Sequence, residues 1–259
     1  MLELIILGTF ALLAVVEMVR PRQHYAASPF WRTRGAIGFI LYLAVGTFAP
    51  FLWDDVLASH RLFDLTTLPV WQQALIGFLV AELVGYSWHR SMHTSNFLWR
   101  AFHQMHHSAE RFDIWGAFYF SPQDMVGFTF FGSLALVGIV GIGGEAGLVV
   151  NLTLLFLTAW QHMNIKTPHW MGYIIVRPES HSVHHARGVH KYNYCDVPLI
   201  DMLFGTFRNP KEIIPEAGFY DGASLEVPKM IAGFDVLSSY AGPSPANTAR
   251  ASEATAGRA

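Results

Sequence analysis

The chain has 259 residues, of which 52% are hydrophobic and only 14% charged, with a formal net charge of −2. Soluble domains carry about a quarter charged residues, so this composition speaks against an ordinary soluble enzyme, and the near-neutral balance leaves no basic footprint for nucleic acid. The single cysteine, Cys195, excludes an intrachain disulfide and a thiolate metal cluster.

The first apolar run, Leu4–Val19, follows Glu3 rather than a basic segment and shows no small-residue cleavage site, so it reads as a retained anchor rather than a signal peptide. Arg20, Arg22, Arg32 and Arg34 then fill a loop that the positive-inside rule assigns to the cytoplasm. A second apolar run, Ala36–Trp53, is followed by a short outer loop holding Asp54, Asp55 and Asp64. A third, Val70–Trp88, contains Glu82 and leads into His89–His93, HRSMH. His103–His107, HQMHH, comes ten residues further on. The nearly uncharged stretch Met125–Trp160 is too long for one crossing of about 20 residues. Gly141, Gly143, Gly144 and Glu145 break it, so it reads as two helices with a turn. The GIGGEA string there mimics a dinucleotide fingerprint but follows no strand, and carries no weight. His162 and Asn164 stand just beyond this hairpin, and His181–His185, HSVHH, further on. Lys211–Leu237 is mixed in polarity and reads as a segment packing over the preceding region. From Ser238 the chain is rich in Ala, Ser, Thr and Gly without periodicity, as expected of a disordered tail. Counting crossings places all three histidine windows on the cytoplasmic edge.

Those three windows hold eight of the thirteen histidines. Spacings of i, i+3 and i+4 put imidazoles on one helix face, and neutral imidazole is the commonest metal ligand among side chains. Eight exceed the roughly four to six ligands of one ion, so two metal ions close together are expected, held by His89, His93, His103, His106, His107, His181, His184 and His185. His162 is a ninth expected ligand. His190, five residues past the last window, can be a tenth ligand, a hydrogen-bond donor to one, or a surface residue. Glu82 lies two helical turns before His89, where a carboxylate can accept from the far nitrogen of a ligand and orient it. An ionisable residue within a span is a functional candidate by default. Asn164 can donate to a bound water or stand in for a ligand. His24, His60 and His169 read as ordinary polar residues. Arg90 and Arg100 suit lipid headgroups or acidic partners. Phe102, Trp115, Phe118, Tyr119 and Phe120 are candidate walls of a substrate pocket, or core.

From about Glu82 to Pro210 the chain resembles the fatty acid hydroxylase superfamily, which includes sterol desaturases and sterol methyl oxidases. The resemblance rests on Tyr86 and Trp88 before HRSMH, on LWRAFHQMHHSAE, on RPESHSVHHARGVHKYNY and on DMLFGTFRNP. By position, the eight window histidines match the family's ligand boxes, and His162 matches the histidine placed after the membrane hairpin. Ser121-Pro122 stands where many members have His-Pro. The resemblance, nearest to bacterial members, implies an integral membrane protein of the bacterial inner membrane. It also implies a non-haem diiron oxygenase, using two iron ions and dioxygen on a lipid.

The fold expected is an all-α membrane bundle with a cytoplasmic, histidine-rich helical cap, formed as one unit by residues 1–237. Iron in an all-nitrogen site can activate dioxygen, whereas zinc has no redox chemistry. A site at the bilayer edge would admit a lipid C–H bond to a dry pocket for hydroxylation. Desaturation or carotenoid hydroxylation would use the same site. Electrons would come from a separate reductase or small carrier, because no flavin, nicotinamide or iron–sulfur motif is present. A haem electron carrier would leave the clustering unexplained. A metal transporter would place its ligands near the bilayer midplane instead.

Overall fold

A computed structural model describes residues 2–238, with side chains from residue 4 onward. The expected tail therefore lies, from residue 239, outside the described residues. Among them the fold is all-helical; the one β contact is an isolated bridge between Ala186 and Ala217.

Helix α1 is Leu2–Val19 and α2 is Trp31–Phe48, extended by a 3-10 turn over Ala49–Leu52. The outer loop carries α3 (Asp54–Ser59), and α4 runs over Val70–Thr94. Next come α5 (Asn96–Leu98), a π-helical turn over Trp99–His103 and α6 (Gln104–His107). The expected hairpin is α7 (Pro122–Ser133), continued by a π-helical stretch to Ile139, and α8 (Gly144–Gln161). Shorter helices follow: α9 (Pro178–His184), α10 (Pro198–Leu203) and α11 (Val227–Ile231). Ser121 caps α7, its Oγ accepting from Asp124 N and donating to Phe102 O.

The outward surface of the bundle is the apolar one. Leu12, Val15, Ile37, Ile40, Leu41, Leu75, Leu79 and Leu83 are exposed, while Glu17, Gln73 and Glu82 are buried. That inversion suits a lipid environment, which cannot satisfy polar groups. The helix over Trp31–Leu52 is long and apolar enough to cross a membrane, and only 17% of its most apolar window is buried. It begins five residues before the expected Ala36, because Phe30 turns the chain into it with φ of 52°.

Packing fixes which end holds the histidines. Buried Glu17 accepts from Ile114 N at 2.9 Å and Asn164 N at 2.7 Å, tying α1 to the chain around the site. Phe39, Phe118, Met125 and Met163 form the core between α1, α2, α7 and α8. At the other end, Leu62, Phe63 and Leu65 donate backbone bonds to Gly138, Ile139 and Gly141. Gly141 has φ of +56°, and a Cβ there would lie 2.3 Å from Phe63 O, so only glycine fits this turn. The arginine loop and all three histidine windows share the opposite end. Over them packs the segment after Lys211: Phe219, Ala223, Met230 and Val236 cluster with Trp31, Met105 and Tyr119, and Gln104 Nε2 donates to Phe234 O.

Candidate metal centre

The nine histidines expected as ligands come together in two groups. His89, His93, His103, His107 and His184 form one; His106, His162, His181 and His185 form the other. Within each group the nearest ring nitrogens all lie within 4.8 Å of one another. Consecutive residues on a helix point about 100° apart, which explains why neighbours separate. His106 and His107 go to different groups, as do His184 and His185. The groups touch where the rings of His107 and His185 stack at 4.3 Å.

The spacing inside each group has the dimensions of a coordination shell. In the four-histidine group, His106 Nε2 is 3.2 Å from His162 Nε2, which is 3.2 Å from His181 Nε2, which is 3.2 Å from His185 Nε2. In the other group, His89 and His103 bring their Nε2 atoms to 3.0 Å. The Nε2 atoms of His93, His107 and His184 are buried without partners there. A metal–nitrogen distance of about 2.0–2.1 Å places neighbouring donors roughly 3.0–3.4 Å apart. The donor set therefore fits a metal ion in each group.

Most of the opposite nitrogens are held by the protein, while Nδ1 of His106 and of His181 is buried without a partner. In the five-histidine group, Nδ1 of His89 donates to Tyr194 O at 2.8 Å, of His93 to His190 O at 2.7 Å and of His184 to Tyr192 O at 2.7 Å. His103 Nδ1 donates to the carboxylate of Asp124 at 2.7 Å, and His107 Nδ1 lies 3.1 Å from His190 Nδ1. In the other group, His162 Nδ1 donates to Thr158 O at 2.8 Å. Such partners fix tautomer and ring direction so that Nε2 points inward. Three of the carbonyl acceptors sit on one unusual loop, in which His190, Tyr192 and Asn193 all have positive φ, of 43°, 77° and 47°. That backbone is costly for non-glycine residues, and the loop is clamped from both sides. Asn193 Nδ2 donates to Ser180 O and Arg208 O. Asp201 accepts from Tyr194 N, Cys195 N and the Thr206 hydroxyl.

Helix α9 is secured by a buried ion pair. Arg177 Nη1 is 3.1 Å from Glu179 Oε2, and its remaining donors reach Asn209 Oδ1 and Pro210 O. Glu179 also accepts from the backbone and hydroxyl of Thr167. These contacts tie the RPE segment to FRNP.

Burial holds the imidazoles of His93, His103, His106, His107, His181, His184 and His185 well below the usual value. They are therefore neutral and free of competing protons at neutral pH, as metal ligands must be. Burial likewise pushes the Cys195 thiol up, leaving it inert.

Two expected site residues take other positions. Glu82 does not reach a histidine: its Oε2 accepts from Asp196 N at 3.0 Å and Val197 N at 3.1 Å, because residues 194–197 dock against that face of α4. Asn164 is committed at both ends of its amide, accepting from Gln23 N and donating to Gln23 O, so it clips the arginine loop in place instead of facing the histidines. His190 stands outside both groups with its Nδ1 3.1 Å from His107 Nδ1, the geometry of the second of its three readings, a hydrogen-bond partner of an expected ligand. Asp124, absent from the expected set, had only one signal in sequence, an acid opening a long uncharged stretch. His24 and His60 are exposed. His169 Nε2 donates to Asn209 O away from both groups.

A cavity of about 600 Å³ meets this centre. It is lined at one end by His89, His103, His106, His162 and His181, and at the other by Pro50, Asp54, Ile142 and Gly144. Between them lie Tyr42, Leu43, Phe128, Leu136 and Leu155. It follows α8, whose 18 residues span about 27 Å. Of the five aromatic residues expected as walls, Phe120 lines it. Phe102 packs edge-on against Trp88 and Phe118 lies in the core. Trp115 packs against that core, and Tyr119 donates to Ser224 O.

The fatty acid hydroxylase family matches residues 74–206, just over half of the chain. The chain is 32% identical to alkylglycerol monooxygenase of Danio rerio over 165 residues, covering 61% of this chain and 34% of that protein. It is 30% identical to ornithine lipid hydroxylase OlsE of Rhizobium tropici over 183 residues, covering 68% and 52%. It is 31% identical to alkylglycerol monooxygenase of Homo sapiens over 166 residues, covering 62% and 35%. The chain thus spans between a third and about half the length of these relatives. No solved structure matches it.

Proposed function

The chain belongs to the fatty acid hydroxylase family, and on that premise we propose that it is a membrane-embedded, non-haem diiron oxygenase that hydroxylates an unactivated C–H bond of a lipid. The observation that carries this reading is the meeting of two histidine groups with one end of a long apolar cavity. The nine histidines would hold two iron ions, five donors to one and four to the other. Iron so held would supply dioxygen activation, which imidazole-ligated iron can do.

The chain's own residues do the rest. The carbonyls of Tyr194, His190 and Tyr192 and the carboxylate of Asp124 keep the inward nitrogens in place. Phe120, Phe128 and Leu155 line the approach and exclude water, which protects a reactive oxidant. The cavity runs away from the histidines along the bundle, so an acyl or sterol-like tail would fill it. The carbons near the polar end would then stand at the metals, and oxidation there is the expected regiochemistry. Monooxygenation consumes a dioxygen molecule, two electrons and two protons, and yields an alcohol and water. The electrons would come from a separate reductase or small carrier. By the positive-inside rule, the loop of Arg20, Arg22, Arg32 and Arg34 sets the histidine end on the cytoplasmic face, in a bacterial inner membrane.

The test is lipid mass spectrometry of membranes containing the chain, supplied with a reductant system and isotopically labelled dioxygen. The reading expects one labelled oxygen atom in a lipid product, absent with His184→Ala. Iron-loaded, folded protein that incorporates no oxygen into lipids extracted from its own host would contradict it.

A further inference from the structure

One apolar surface belongs to no spanning helix. Helix α10 packs against the 3-10 turn His169–Tyr173, and together they expose Trp170, Tyr173, Ile174, Leu199, Leu203 and Phe204, with Leu203 at 74% and Trp170 at 64%. In water such a patch would be a liability.

Its depth is fixed by α4. Glu82 binds the backbone of Asp196 and Val197, immediately before α10. Tyr86 stacks on Phe204 with ring centroids 5.1 Å apart. At about 1.5 Å per residue, Glu82 and Tyr86 lie roughly 10 and 4.5 Å from His89 toward the middle of the bundle. Leu83, beside Glu82, is exposed and continues the outward apolar stripe of Leu75 and Leu79. The surface of α10 is therefore continuous with the lipid-facing side of α4 and lies at its depth. Arg90, one turn beyond Tyr86, donates to the Tyr86 hydroxyl and supplies a cation at the rim. Trp and Tyr are favoured at such boundaries.

We propose that α10 and residues 169–174 form an interfacial foot, lying in the plane of the membrane with its apolar side sunk into the histidine-side leaflet. The occupant of the patch is the acyl region of that leaflet. Because Tyr194, Cys195 and Asp196 line the cavity just before α10, the foot holds that wall of the cavity at acyl-chain level. The inference rests on the membrane-embedded reading and not on metal or activity.

The test places nitroxide labels on the full chain in phospholipid nanodiscs, at Leu203→Cys and Trp170→Cys. Asp221→Cys, 96% exposed on the overlying segment, is the aqueous reference and Leu79→Cys the acyl reference. Collision with dioxygen is compared with collision with a water-soluble nickel chelate. Labels at 203 and 170 should favour dioxygen several-fold over the reference at 221, as the label at 79 does. Nickel access at 203 and 170 equal to that at 221 overturns the foot while leaving the membrane reading intact. Labels shielded from both reagents mean that a protein covers the patch, which also overturns it. A label at 79 open to nickel overturns both readings.

Discussion

Replacing Asp124 with leucine tests how the two histidine groups are supported. Asp124 is fully buried in the first turn of α7 and its Oδ2 is 2.7 Å from His103 Nδ1. Its other oxygen has no partner. Losing a hydrogen bond to a charged group costs about 1.5–3 kcal/mol, and deleting such a partner behind a metal-bound histidine lowers metal affinity about 10–100-fold. Asp124→Leu should therefore weaken the five-histidine site by that factor. The four-histidine site should keep its affinity, since no ring nitrogen of that group bonds Asp124. Stability should fall by about 1.5–3 kcal/mol, because leucine fills a similar volume but leaves the buried His103 Nδ1 without its acceptor. The assay is metal retained per chain, by elemental mass spectrometry, across graded chelator concentrations. Wild type should retain both metals to higher chelator than the variant, which should lose one metal early and the other at the wild-type concentration. Parallel loss of both, or a curve identical to wild type, would refute the reasoning.

Arg177→Met should be destabilising by about 3–5 kcal/mol, because Glu179 would be left buried without its cation; a melting temperature within a few degrees of wild type would contradict this. Gly38→Ala brings a Cβ within 2.6 Å of Phe118 O and should cost about 1–3 kcal/mol, whereas Gly46→Ala, with nothing within 4 Å, should be nearly silent in the same thermal-shift assay. Metal-free protein should lose stability on acidification. Burial lowers the imidazoles of both groups, and that of His190 to about 3, while the unfolded chain takes up protons near pH 6.5. Their contribution is thus fully present above about pH 6.5 and lost as pH falls below it; a melting temperature that does not change between about pH 7.5 and 5 would oppose that sign.

The membrane-like bundle and the nine histidines were legible because each rests on a periodic local pattern, apolar length in one case and i, i+4 spacing in the other. Their division into five and four was not. It depends on a π-helical turn before His103 and on the roughly 100° between His106 and His107, neither of which composition encodes. The supports of the site were mostly invisible for a related reason. Carbonyls of Tyr192, Tyr194 and His190 have no side-chain signature, and their loop is shaped by Asn193 and Asp201 from elsewhere in the chain. Glu82 shows the opposite failure. Two turns before His89 is the right face, but residues 194–197 dock there first. Asn164 likewise stands two residues from a ligand yet turns toward Gln23.

The most direct test of the account is metal content with Mössbauer spectroscopy on iron-supplemented full-length protein in mild detergent, beside His184→Ala. His184 belongs to the five-histidine group, and its neighbours His181 and His185 to the other. The account predicts about two irons per chain, magnetically coupled, with the coupling lost in the variant. One iron or none in folded wild-type protein, or two uncoupled irons unaffected by the substitution, would contradict it.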